Sequence, residues 1–225
     1  MVTDSILSYA AGTLVALFPI ANPIGAVPMF YSLLGNDPPA YRRKQAQRIT
    51  INVILILVLF LFGGRAILEF FGISLGVLRI AGGLLVAHTA WEMLTVKHRL
   101  SDSEHQAAAD KEDISFTPMA TPLIAGPGAI GVVIGLSARL TNSSEYIGSV
   151  VGITLLGALL YLCLRIGEVF LKALGRNGIG ALNRILGFFI LAIAVQFIAD
   201  GTLTLLQKAA PTLFHLSFLY PMLKS

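Results

Sequence analysis

The sequence predicts an all-α, polytopic membrane protein with six transmembrane helices arranged as a 3+3 inverted repeat, helices 1 and 4 being broken near the midplane. Three observations carry that expectation. Hydrophobic side chains make up 56% of the 225 residues and charged ones only 12%, with a mean hydropathy of +0.80, well outside the mix of a soluble domain. Six apolar runs each supply the roughly 20 residues that a spanning helix needs. Two short motifs of the first half recur, in order, in the second.

The first run, Ile6–Leu34, follows a start with Asp4 and no Lys or Arg. It lacks the basic opening of a cleaved signal peptide and is expected to stay in the mature protein. Its centre, FPIANPIGAVPMF, holds Pro19, Pro23 and Pro28. The second run, Ile49–Phe71, opens with Thr50 and Asn52, read as helix-start residues. The third is Ser74–Val96. The polar stretch KHRLSDSEHQAAADKED, Lys97 to Asp113, then divides the spans three and three as a cytoplasmic linker, a solvated charge run.

The fourth run, Phe116–Ala138, centres on AGPGAIG. The fifth, Ile147–Val169, contains Cys163, the only cysteine, which excludes an intramolecular disulfide, a CxxC pair and a cysteine metal cage. The sixth is Gly180–Leu206. The apolar tail LFHLSFLYPML is too short to cross again and is expected along the interface or packed on a neighbour. The chain thus divides into residues 1–96, a first three-helix repeat; 97–115, the linker; and 116–225, a second repeat plus tail, within one membrane domain.

The net charge of +4 lies in short clusters between apolar runs, which points to orientation in a bilayer and away from nucleic acid. Arg42, Arg43, Lys44 and Arg48 follow span one; Lys97, Arg99 and Lys111 follow span three; Lys172 and Arg176 follow span five. Arg65, Arg139, Lys208 and Lys224 oppose them. Positive charge favours the cytoplasmic side, so both termini are expected outside the cytoplasm.

RIAGGLLVA at Arg79–Ala87 matches RILGFFILA at Arg184–Ala192 at an offset of 105, and FPIANPIGAVP resembles TPLIAGPGAIG at offsets of 103 and 104. Each half contains an odd number of spans, so the second enters the membrane from the opposite side, a pattern typical of secondary transporters.

Prolines remove backbone donors, so spans one and four must be interrupted. Broken backbone survives at membrane depth only in protein or around a wet cavity. The segments after Asn22 and after Gly126 both start at the centre, so two helix N-termini should converge there with their free N–H groups. The ends of the preceding half-helices leave carbonyls that can receive a cation or ammonium. Such a site suits a small zwitterion, with Asn22, Pro23, Ile24 and Gly25 facing Gly126, Pro127, Gly128 and Ala129.

Other polar residues within the spans are read as anchors, gates or couplers. Arg79 and Arg184 occupy corresponding places near opposite faces, where they can snorkel or close a gate on Glu69, Glu92 or Asp200. His88 and Glu92 are four apart, as are Gln196 and Asp200, so each pair shares a helix face and could relay protons. His88 is expected deep in the membrane, in reach of neutral-pH titration.

NPIG at Asn22–Gly25, AGPGAI at Ala125–Ile130, LRIAGGL at Leu78–Leu84 and VQFIADG at Val195–Gly201 together resemble the MarC family over roughly Ser5 to Leu206. The resemblance implies a polytopic inner-membrane protein and a substrate class of small neutral amino acids such as alanine and glycine. The leading expectation is therefore a secondary transporter among membrane lipids, with H⁺ or Na⁺ as coupling ion and no cofactor, since there is no GxxxxGK[ST] loop. The alternatives are a channel or scaffold without a carrier cycle, or an intramembrane enzyme, for which no HExxH, GxSxG or paired-aspartate motif is present.

Overall fold

The computed structural model describes residues 2–95 and 113–209, and every regular element among them is helical. In chain order they are α1 (Val2–Ala21), α2 (Pro23–Leu34), α3 (Pro39–Phe71), α4 (Leu75–Leu94), the π-helical α5 (Ser115–Ile124), α6 (Pro127–Ser137) and α7 (Ser143–Ala209). Gly175, at φ 62° and ψ 178°, breaks α7, leaving two apolar limbs, Ser143–Val169 and Gly180–Ala209. Residues 97–112 of the expected linker and the expected tail lie outside the described residues.

Five helices are long and apolar enough to cross a membrane: Thr3–Ala21, Pro39–Phe71, Leu75–Leu94 and the two limbs of α7. The fourth expected span is not among them. Its residues fall into α5 and α6, of 10 and 11 residues, because prolines divide it. Thr117 and Thr121, each just before a proline, are extended at φ/ψ of −124°/124° and −132°/127°, the geometry that the clash between proline Cδ and the preceding residue favours. Pro118 cannot donate to the Ile114 carbonyl four residues back, and the amide of Met119 does so instead at 3.3 Å. That i+5 bond, and a second from Ala125 N–H to Ala120 O at 2.8 Å, make the segment π-helical.

α3 begins ten residues before its apolar run, at Pro39, a residue preorganised for the first helical turn. Its 33 residues reach about 50 Å, beyond a hydrocarbon core of about 30 Å, so Arg42, Arg43, Lys44 and Arg48 ride on a helical extension. The helix ends at Gly72 (φ 64°), where Gly72 N–H donates to Glu69 O and Ile73 N–H to Leu68 O, the paired bonds of a Schellman end. At the far end of α3's extension, Arg48 pairs with Asp113. Burial pushes the Asp113 carboxyl up, but hydrogen bonds from Ser115 and the charge of Arg48 outweigh it and hold the group below its usual range.

Backbones meet where glycine permits. A Cβ added at Gly148 or Gly152 would lie 2.6 Å from the carbonyl oxygen of Ile6 or Ala10, so α1 lies against the first limb of α7 in the small-xxx-small manner of membrane helices. α4 lies against the second limb the same way, through Gly83 on Ala194 and Gly76 on Gly201. Glu145 fastens the first contact. It is 8% exposed, exchanges capping bonds with Asn142 and accepts from Tyr9 Oη of α1 at 2.9 Å. Leu57 and Leu61 of α3, Leu156 and Leu160 of α7 and Phe30 of α2 fill the centre, while Leu55, Leu59, Phe62, Phe188 and Phe189 point outward. Large apolar side chains exposed along the spans suit lipid, which makes no demand for polar cover.

Candidate functional site

Two places where helices restart in the interior form the candidate site. The first is Asn22, the only described residue other than glycine with positive φ (43°, ψ 64°). Pro23 supplies no N–H for the Pro19 carbonyl, so the helix stops there, and the short amide of Asn tolerates the left-handed turn that follows. Asn22 is 3% exposed. Its Oδ1 accepts from Gly25 N–H at 3.0 Å, capping α2, and its Nδ2 donates to Met93 Sδ of α4 at 3.6 Å. Gly25 is required: a Cβ there would lie 2.1 Å from Asn22 Nδ2.

The second place is Gly126, extended at φ −77° and ψ 179°, with Pro127 in the first turn of α6 and no side-chain cap. The N–H groups of Gly128 and Ala129 therefore have no partner within α6. A Cβ at Gly128 would lie 2.8 Å from Val86 Cγ2 of α4 and 3.4 Å from Ile20 Cγ2 at the end of α1. The two restarts thus share α4 as a wall, at Met93 and at Val86, about 10 Å apart along that helix.

Of the expected residues, Asn22, Pro23, Gly25 and Ala129 are buried, Ile24, Gly126 and Gly128 half-buried, and Pro127 exposed. The gating and coupling candidates lie elsewhere. The His88 side chain is 72% exposed on the surface of α4, with Nε2 3.4 Å from Glu92 Oε1. It points outward because Gly83, Val86 and Ala90 on the opposite face of α4 make the packing contacts. Gln196 donates to Asp200 at 2.8 Å on an exposed face. Arg79 donates to Thr204 Oγ1 at 3.2 Å, Arg184 is exposed, and Glu69 is taken by Arg65 at 2.9 Å. Among the described residues, no ion pair joins Arg79 or Arg184 to a carboxylate.

Sequence reasoning missed Thr121. Its Oγ1 is buried with no hydrogen-bond partner among the described residues, in the π-helical segment that leads to the second restart. The motif TPLIAGPG contains it, and the signal was available in its place before Pro122, which biases it away from helical geometry.

Long apolar helices with large apolar side chains exposed along them and interior helix restarts define a polytopic α-helical integral membrane protein. The chain belongs to the MarC family: residues 7–206 match the family described as MarC family integral membrane protein. The inner membrane protein MarC of Escherichia coli (strain SMS-3-5 / SECEC) is 33% identical over 207 residues, covering 86% of this chain and 94% of that protein. A membrane protein of Buchnera aphidicola subsp. Schizaphis graminum is 33% identical over 187 residues, 83% of this chain and 88% of that one. MarC of Salmonella typhimurium (strain LT2) is 31% identical over 207 residues, with coverage of 86% and 94%. No solved structure matches.

Proposed function

We propose that this protein is a secondary transporter of small neutral amino acids such as alanine and glycine, working by alternating access around the two interrupted helices. The observation that carries the proposal is the placing of both restarts on α4, Asn22 against Met93 and Gly128 against Val86. The uncapped start of α6 offers N–H groups to a carboxylate. The end of α1 offers the Pro19 carbonyl, deprived of its donor by Pro23, to an ammonium group. The buried Thr121 hydroxyl, without a hydrogen-bond partner among the described residues, is offered as a third polar group. A zwitterion satisfies all three together.

In this reading α1 and α2 form one interrupted span and α5 and α6 another, six spans in two inverted halves of three. The contact of α1 and α2 with the first limb of α7 corresponds to that of α5 and α6 with α3, and α4 pairs with the second limb of α7. That correspondence supports an inverted repeat. Both termini then lie outside an inner membrane, and H⁺ or Na⁺ drives the cycle. His88, on the outer face of α4, is given no part in it.

Purified protein in liposomes is expected to accumulate labelled alanine or glycine, saturably, under an imposed proton or sodium gradient. No uptake above empty liposomes under either gradient, with correct insertion verified by protease protection, would refute transport. Ion conductance without saturable exchange would instead mark a channel.

A further inference from the structure

Where α3 begins and the first limb of α7 ends, a cavity of about 260 Å³ opens between α2, α3 and α7. Its floor is apolar and buried: Phe30, Ala46 and Leu164. Its rim carries Arg42 and Arg43 from the start of α3 and Arg165 from α7, against one carboxylate, Glu168. That carboxylate is divided. One oxygen is 3.4 Å from Arg42 and the other is 2.9 Å from Lys172, which is not part of the rim.

The cations are held in place. Arg42 is 16% exposed, and its guanidinium lies 5.4 Å over the Tyr31 ring. Tyr31 in turn donates to Leu164 O at 3.2 Å. Arg165 donates to Tyr161 Oη at 3.3 Å. Three like charges gathered from two helices repel one another, and one shared acid does not balance them. A bound anion would. Arginine forks match the oxygens of phosphate in geometry and charge, and the apolar floor can receive the carbon side of a phosphate ester. The rim also lies where the apolar run of α7 gives way to charge, the level of lipid headgroups.

We propose that this cavity is a binding site for a phosphate-bearing anion, either the headgroup of an anionic phospholipid or a soluble phosphate. It does not depend on the transport reading. The test uses the full chain in two arms. In the first, the protein is reconstituted in phosphatidylcholine nanodiscs doped with phosphatidylglycerol, extracted into non-ionic detergent and examined by native mass spectrometry for retained lipid. In the second, inorganic phosphate is titrated against chloride at matched ionic strength while thermal unfolding is followed.

Arg43→Gln with Arg165→Gln should weaken the response roughly thirtyfold, each single change about fivefold. The paired lysine substitutions at the same positions should keep part of it. Arg65→Gln, an exposed cation outside this rim, should leave it unchanged. Because Arg43 and Arg165 are exposed, the unliganded unfolding midpoint should not move. Lipid retention without a phosphate response identifies a headgroup site, and a phosphate response without retention identifies a soluble ligand. No response in either arm, or an equal response in the double glutamine variant, overturns the proposal.

Discussion

Pro19, Pro23 and Pro28 are spaced four residues then five, and so are Pro118, Pro122 and Pro127, yet the two triplets interrupt their helices differently. In the first, Pro19 and Pro28 stay inside α1 and α2, and only Asn22 leaves helical geometry, into a left-handed turn. In the second, Thr117, Thr121 and Gly126 are all extended. The spacing of prolines decides where donors are missing but not how the chain responds, since Val27 stays helical before Pro28. Thr117 and Thr121 yield to the clash by extending. An asparagine can turn left-handed and use its own oxygen as a cap. One interruption is therefore a single locked joint and the other a stretch of unusual backbone.

That contrast predicts unequal sensitivity to substitution. Gly25→Ala should have the largest effect, because its methyl displaces the Asn22 amide and removes the cap. A loss of about 2–4 kcal/mol is expected, read as thermal unfolding in detergent, and an unmoved midpoint would break the picture of a locked joint. Asn22→Ala should cost about 2–3 kcal/mol, since it loses the cap and forces alanine into a left-handed turn. Asn22→Gly should cost only about 1 kcal/mol or less. Equal losses from these two would show that the turn itself carries no strain.

At the second interruption the neighbours are side chains that can yield. Gly128→Ala should cost about 1–2 kcal/mol by crowding Val86, and adding Val86→Ala should recover most of it. Thr121→Val should change the stability of the unliganded protein by about 0.5 kcal/mol or less, because the hydroxyl makes no bond to lose. The same substitution should sharply reduce stabilisation by an amino acid. A large loss without ligand, or ligand stabilisation left intact, would remove Thr121 from the site.

Membrane class, most span boundaries and the family were legible in composition, run length and motifs, since lipid imposes those directly. Asn22 was legible as a helix start because its neighbours Pro23 and Gly25 are local. The extension of α3 back to Pro39 was not, because Tyr41 to Arg48 read as loop charge and the helix there gains its support from packing on α7, through Arg42 and Glu168. The outward orientation of His88 was not legible, because periodicity gives the face of a helix but not which neighbour covers it. Here Gly83 and Gly76 turn the other face inward. The cavity rimmed by Arg42, Arg43 and Arg165 joins residues more than a hundred positions apart, a juxtaposition that no local pattern encodes.

The most direct measurement is thermal unfolding of the purified full chain with each amino acid in turn, alongside acetate and methylamine, which carry one charge apiece. Two helix restarts that hold a zwitterion predict saturable stabilisation by alanine or glycine, about 2.7 kcal/mol at a hundred times the Kd, with none from the two single-charge compounds. The shift should fall sharply in Thr121→Val. No shift with any amino acid, or the same shift in wild type and Thr121→Val, would contradict it.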